Sequence, residues 1–180
     1  MTTIAPLALL DTLLETWRPQ IGGAFPGYRN HCQRMAAFTL ALRPDASDDD
    51  RRKIAIAACF HDLGIWSDGT IDYLPPSSRR ARDYLAAEGL QDWATEIELM
   101  IDEHHKLRAY KDPSYPLVEA FRKADLVDVS LGLIKFGLPG DTVRALKAAY
   151  PNDGFHKTLM GLAGSWFKRH PLSAPPFIKW

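Results

Sequence analysis

Apolar positions recur at helical spacing in nearly every segment of this 180-residue chain, and nowhere do they alternate with the two-residue period of a half-buried strand. Leu9, Leu10, Leu13, Leu14 and Trp17 predict a helix over 6–17, opened by a first-turn proline. Two prolines and three glycines over 19–27 predict a loop. The period resumes over 28–42, where His31, Met35, Phe38 and Leu42 fall on one face, and Pro44 ends it. Ser47 followed by Asp48, Asp49 and Asp50 is a helix start, a side-chain cap with acids in the positive first turn. That helix enters 54–60, which holds no polar side chain and so reads as buried nearly all round. Gly64 is expected to close it in the left-handed conformation, leaving His61 and Asp62 in its last turn.

Downstream, 65–76 reads as an irregular loop able to cover a site, and 77–88 as a helix stopped by Gly89. A helix over 91–107 aligns Trp93, Ile97, Met100, Ile101 and His104. Prolines break the chain at 112–116, and a helix over 117–131 carries Phe121, Asp125, Asp128 and Val129. Two more helices are predicted, from 138–141 to Tyr150 and over 155–168, the last burying Phe155, Leu159, Leu162 and Trp166. The tail from His170 carries three prolines and is expected to lie extended over the body. The pattern is all-α, one domain over 1–180.

Composition narrows the partners. Lysine plus arginine and aspartate plus glutamate both number 22, so no strong field favours nucleic acid or an anionic membrane. The basic clusters Arg51-Arg52-Lys53 and Arg79-Arg80-Ala81-Arg82 read as solvated helix faces. No apolar run approaches a membrane span, and the start Met1-Thr2-Thr3 lacks the basic residues of a signal peptide. Cys32 and Cys59 have neither metal-type nor redox-type spacing. The expectation is a cytoplasmic protein with reduced thiols and a small-molecule substrate, its oligomeric state open.

The chemistry gathers on buried polar residues. An aspartate at a helix C-terminus faces the negative end of the dipole, and burial worsens the misfit unless a cation or strong donors meet it. A metal ion resolves this at Asp62, with His61 as the natural co-ligand. The alternative is that Asp62 caps backbone and His61 is a hydrogen-bonded core residue. His31 and His104 lie on apolar stripes of their own helices, and Asp125 and Asp128 are both placed to point inward, periodicity alone not choosing between them. Such residues on four helices converge readily in a bundle, and without a metal they would be expensive together.

The order His31, His61-Asp62, His104, Asp125 resembles the HD-domain superfamily of metal-dependent phosphohydrolases. His31-Cys32-Gln33-Arg34-Met35 resembles its first histidine motif with the following arginine, and Ala58-Cys59-Phe60-His61-Asp62-Leu63-Gly64 its namesake motif. The stretch 97–105 resembles the helix of an intermediate histidine, and Lys123-Ala124-Asp125 the final motif, which favours Asp125 over Asp128. The resemblance covers roughly 28–131, with an N-terminal helix and a C-terminal extension over 132–180 outside it. It implies a compact bundle in which His31, His61, Asp62 and Asp125 bind one divalent ion, Mn, Fe, Co, Ni or Zn.

The activity this implies is hydrolysis of a small phosphomonoester or nucleotide by a metal-bound water. Asp62 and His104 would be catalytic, His104 beside the metal rather than on it and orienting water or protonating the leaving oxygen. Arg34, Lys106 and Arg122 are the expected cations for the phosphate. His105, at the stripe's edge, is expected to be a supporting or surface residue. Two alternatives stand: a hydratase or lyase of a small carbon–nitrogen compound, of the cyanamide hydratase kind, with Trp66, Tyr73 and Trp166 building an apolar pocket, and a non-catalytic metal-binding regulatory domain.

Overall fold

A computed structural model describes residues 7–180. Its helices are α1 (Ala8–Ile21), α2 (Phe25–Leu42), α3 (Asp48–Phe60), α4 (Gly64–Ser67), α5 (Leu74–Ala87), α6 (Ala94–Glu103), α7 (Pro116–Val129), α8 (Gly140–Ala149) and α9 (Phe155–Arg169). Among the described residues there is no strand, only an isolated parallel bridge between Lys106 and Lys179. No helix there is long and apolar enough to cross a membrane. Both cysteines are free and buried.

The centre is built from α2, α3, α6 and α7, with α1 packed on α3 and α2, and α5 on α6 and α3. Helix α3 follows the sequence expectation closely. Ser47 and Asp50 form a reciprocal capping box, and every residue from Ile54 to Phe60 is buried. Each large apolar side chain sealed this way contributes about 1.5–3 kcal/mol. Helix α2 is buried on most of its circumference because α7, α3, α1 and α8 all pack on it.

The structure corrects several boundaries. Helix α1 passes through Pro19 to Ile21, and α2 begins at Phe25, so little of 19–27 is loop. A proline removes one helical hydrogen bond, and the buried Ile21 holds the final turn. Pro75 and Pro76 lie in the first turn of α5, where no N–H is required, so that helix starts before 77. Helix α6 stops at Glu103 instead of running to 107. On α9 only Phe155 is buried; Leu159, Leu162 and Trp166 are half-exposed. Pro6, at the expected start of α1, lies outside the described residues.

Gly64 also differs, and the reason bears on the site. It does not adopt positive φ; the chain turns through Leu63 in ordinary helical angles. A Cβ on Gly64 would lie 2.5 Å from the Tyr73 carbonyl oxygen and 2.9 Å from Pro76 Cγ. The glycine is needed because α5 begins directly against the His61-Asp62 turn. The Gly64 N–H donates to Ser77 Oγ at 2.9 Å, tying the two segments together.

Candidate metal centre

Three helix ends and one helix middle deliver the polar side chains. His61 caps the C-terminus of α3 and Asp62 follows it; His104 caps α6 and His105 follows it; Asp125 and Asp128 lie on α7, and His31 on α2. At both caps the imidazole replaces the next helical bond. His61 Nδ1–H donates to Ala58 O at 2.9 Å, and His104 Nδ1–H to Ile101 O at 2.6 Å, carbonyls that a continuing helix would have used. Because α6 ends there, the adjacent His104 and His105 both face the site, which 100° of helical rotation would have prevented.

The hydrogen bonds set the tautomers. A carbonyl can only accept, so Nδ1 of His61 and of His104 carries the proton and each Nε2 presents a lone pair. His31 Nδ1–H donates to Asp128 Oδ2 at 2.7 Å, which turns its Nε2 inward as well. His31 Nε2 and His61 Nε2 stand 2.9 Å apart. His61 Nε2 is 3.4 Å from Asp62 Oδ2, His104 Nε2 is 3.4 Å from Asp62 Oδ1, and His31 Nε2 is 3.9 Å from Asp125 Oδ1. Three buried atoms in this knot have no hydrogen-bond partner: Asp62 Oδ1, His104 Nε2 and Asp125 Oδ1.

Electrostatics sets the charge states of the cluster. Burial lowers the His61 pKa to about 3, so its ring is neutral at ordinary pH. Burial by itself would raise Asp62, but the imidazoles of His61 and His104 outweigh it and keep the carboxyl ionised. Among the described residues the ion-pair partners of Asp62 and Asp125 are histidines alone; no lysine or arginine reaches either. Two carboxylates thus face converging nitrogen lone pairs, the donor set that a divalent cation requires. The side chains fall into overlapping groups whose ligand atoms lie within 4.8 Å of one another: His31, His61, Asp125; His61, Asp62, His104; and His104, His105, Asp125. These buried groups could hold a metal ion.

Of the expected ligands, His31, His61 and Asp125 fall in one group and Asp62 joins His61 in another with His104, and the structure separates Asp125 from Asp128. Asp125 joins the cluster, while Asp128 stands behind His31. Its carboxyl, which burial would raise, is held well below the usual range by hydrogen bonds from His31 and Arg34. His105 bridges two partners: its Nδ1 is 3.2 Å from Asp125 Oδ2, and its Nε2 accepts from the Tyr73 hydroxyl at 2.6 Å.

The three expected phosphate cations have other engagements. Arg34 is buried, with Nε and Nη2 gripping both oxygens of Asp128 at 2.5 and 2.8 Å and Nη1 donating to the carbonyl oxygens of Tyr150 and Pro151. Arg122 forks onto Glu119 at 2.8 and 2.9 Å and donates to Lys106 O. Lys106 Nζ pairs with Glu103 at 2.6 Å. Sequence position placed these cations near the site but could not show that acids of this chain already hold them.

Aromatic rings wall the cluster. Phe155 stacks on His31 at 4.0 Å, and Tyr28 lies 6.1 Å from His61 with its hydroxyl donating to Cys59 O. Trp66 packs on Tyr28 at 4.5 Å. Trp166, expected to close the site, instead donates from Nε1 to Ser173 O. Phe155 and Phe177 carried no polar signal in the sequence that would have placed them against the histidines. Comparisons with protein-family models, with curated proteins and with solved structures return no match.

Proposed function

We propose that this chain is a metal-dependent hydrolase, acting as a phosphohydrolase on a small phosphomonoester or nucleotide. The observation that carries the reading is the convergence of histidine lone pairs on two buried carboxylates with unpartnered oxygens. The resemblance of His31, His61-Asp62 and Asp125 to the HD-domain pattern supports it. His31, His61, Asp62 and Asp125 would hold one divalent ion, which when bound supplies Lewis acidity and lowers the pKa of its water. Asp128 fixes the tautomer and angle of His31, and the Ala58 and Ile101 carbonyls do the same for His61 and His104. His104 offers the unpartnered Nε2 that can accept a proton from water or return one to the leaving oxygen. The aromatic walls exclude bulk water.

A second reading, hydration of a small neutral carbon–nitrogen compound, is favoured by one observation. Arg34, Lys106 and Arg122 are all engaged, and no lysine or arginine pairs with the cluster acids. One experiment separates the readings. Elemental analysis of purified protein should find about one divalent transition metal per chain, and a phosphoester panel with that metal added should release phosphate. Turnover of cyanamide with a silent panel would move the assignment to the hydratase. Asp62→Ala should lose the metal and the activity. It should also destabilise less than Phe121→Ala, an apolar core truncation costing about 3–5 kcal/mol, because the buried charge leaves with the side chain. Full metal occupancy in Asp62→Ala sinks the ligand assignment.

A further inference from the structure

We propose that the C-terminal segment 174–180 is a strap that closes the metal cluster, and that substrate enters when Phe177 lifts from Tyr73 and His105. This rests on the metal-centre reading above and names how that site is reached.

His31, His61, Asp62 and His104 are buried, so a cover must move before any substrate meets them. The covers are held very differently. On the His31 side, Phe155 belongs to a segment fastened at many points. Asn30 donates to Pro151 O and to Asp153, Arg34 to Tyr150 O, and the His156 ring lies 3.1 Å from Asp128 O. Gly27 admits this segment so closely that a Cβ there would lie 2.8 Å from Asp153 O. Tyr28 is locked by its bond to Cys59 O.

On the His105 side the fastening is slight. The Phe177 ring, half-buried, lies 5.3 Å from Tyr73 and 5.2 Å from His105. The parallel bridge between Lys106 and Lys179, in which the Leu107 N–H donates to Lys179 O at 2.9 Å, joins the strap to the turn after His105. An ammonium–carboxylate approach of 3.9 Å between Lys179 and Glu103 adds little. Within the strap Pro175 is buried and Phe177 packs beside Ile65, Tyr73 and Leu74, but its backbone meets the body at a single bridge close to the chain end, so it opens at lower free energy than the many-anchored 150–156 segment.

What lies beyond it fits an entrance. A cavity of about 380 Å³ is lined by Leu74, Ser78 and Asp102 on the body and by Pro176 and Lys179 on the strap. Tyr73 and Phe177, the sequence neighbours of Leu74 and Pro176, are the residues in contact with His105. Of these two rings only Phe177 stands on the C-terminal strap, so it is the one that can lift from His105.

The test uses accessibility, so that it does not depend on turnover. Diethyl pyrocarbonate acylation of His104 and His105, read by peptide mass spectrometry on metal-depleted protein, reports opening directly. Removal of the metal from loaded protein by a chelator reports it a second way. Phe177→Ala removes the aromatic contacts and should speed both by about tenfold; a chain ending at Ser173 should speed them at least as much. Trp180→Ala, at an exposed end position, should leave them unchanged. A cysteine pair at Lys106 and Lys179 should slow both when oxidised and restore them on reduction. If Phe177→Ala and the shortened chain both acylate within twofold of the parent protein, the strap is wrong whatever the metal content. Should the chain bind no metal while acylation still accelerates, the strap stands and the metal reading falls.

Discussion

Asp128 is the residue whose role changed most between pattern and structure. Three positions from Asp125 on the same helix, it serves the cluster indirectly, receiving His31 Nδ1–H on one oxygen and the Arg34 fork on both. A carboxylate behind a ligating histidine typically influences metal affinity 10–100-fold. Asp128→Asn turns an amide donor toward Arg34 and should weaken metal affinity by about that factor, measured by competition with a chelating dye. The histidines at the end of α6 divide by their bonds. His104→Ala should lower turnover by about 10²–10⁴-fold with metal retained, while His105→Ala should cost much less. The reverse ranking, or metal loss on changing His104, would make His104 a ligand. Its membership of a group with His61 and Asp62 makes the metal content of that variant the informative measurement.

Among the elements, the decisive contact is between the α3 end and the α5 start. Gly64 sits where any side chain would strike the Tyr73 carbonyl, and Tyr73 is also the partner of His105. Gly64→Ala should therefore destabilise by about 1–3 kcal/mol, the range for forced overpacking, and should lower metal affinity too, since α5 must shift away from the His61-Asp62 turn. Denaturant unfolding with and without metal checks both. An unchanged midpoint would mean that α5 is free to yield. The early end of α6 is the second decisive feature. Had the helix continued to 107 as its apolar stripe suggested, only one of His104 and His105 could face Asp62 and Asp125.

Across the molecule, metal-free stability should depend on pH through the cluster. His61 has its folded pKa lowered from 6.5 to about 3, so the unfolded chain binds more protons between those values. Its contribution is present in full above about pH 6.5 and is lost as pH falls toward 3. Asp62, Asp125 and Asp128, all lowered, act in the same direction below about pH 4. His104 acts oppositely: burial would lower its pKa, but the nearby carboxylates of Asp62 and Asp125 outweigh it and raise it, so its contribution fades as pH rises through the folded value. The thermal midpoint of metal-depleted protein should therefore fall on acidification from pH 6.5 to 4. Added divalent metal should raise the midpoint in a concentration-dependent way at pH 7. A flat profile from 6.5 to 4 would show that His61 is not buried neutral.

The sequence alone determined the elements whose signals are local. Ser47 with its three aspartates starts α3, the unbroken apolar run makes it central, and an aspartate at its end points to either a counter-charge or a backbone cap. Those inferences need only periodicity, dipoles and desolvation, which act within a few residues. Only the tertiary structure decided the rest. It placed Asp125 in the cluster and Asp128 behind His31, engaged Arg34 with α7 and the 150–151 carbonyls, and laid Phe177 over His105. Each of these joins positions far apart in the chain, and a side chain's partner there depends on which helices meet. Gly64 shows the boundary most clearly: its presence is visible in the sequence, but its reason is the carbonyl of Tyr73, brought against it by the packing of α5.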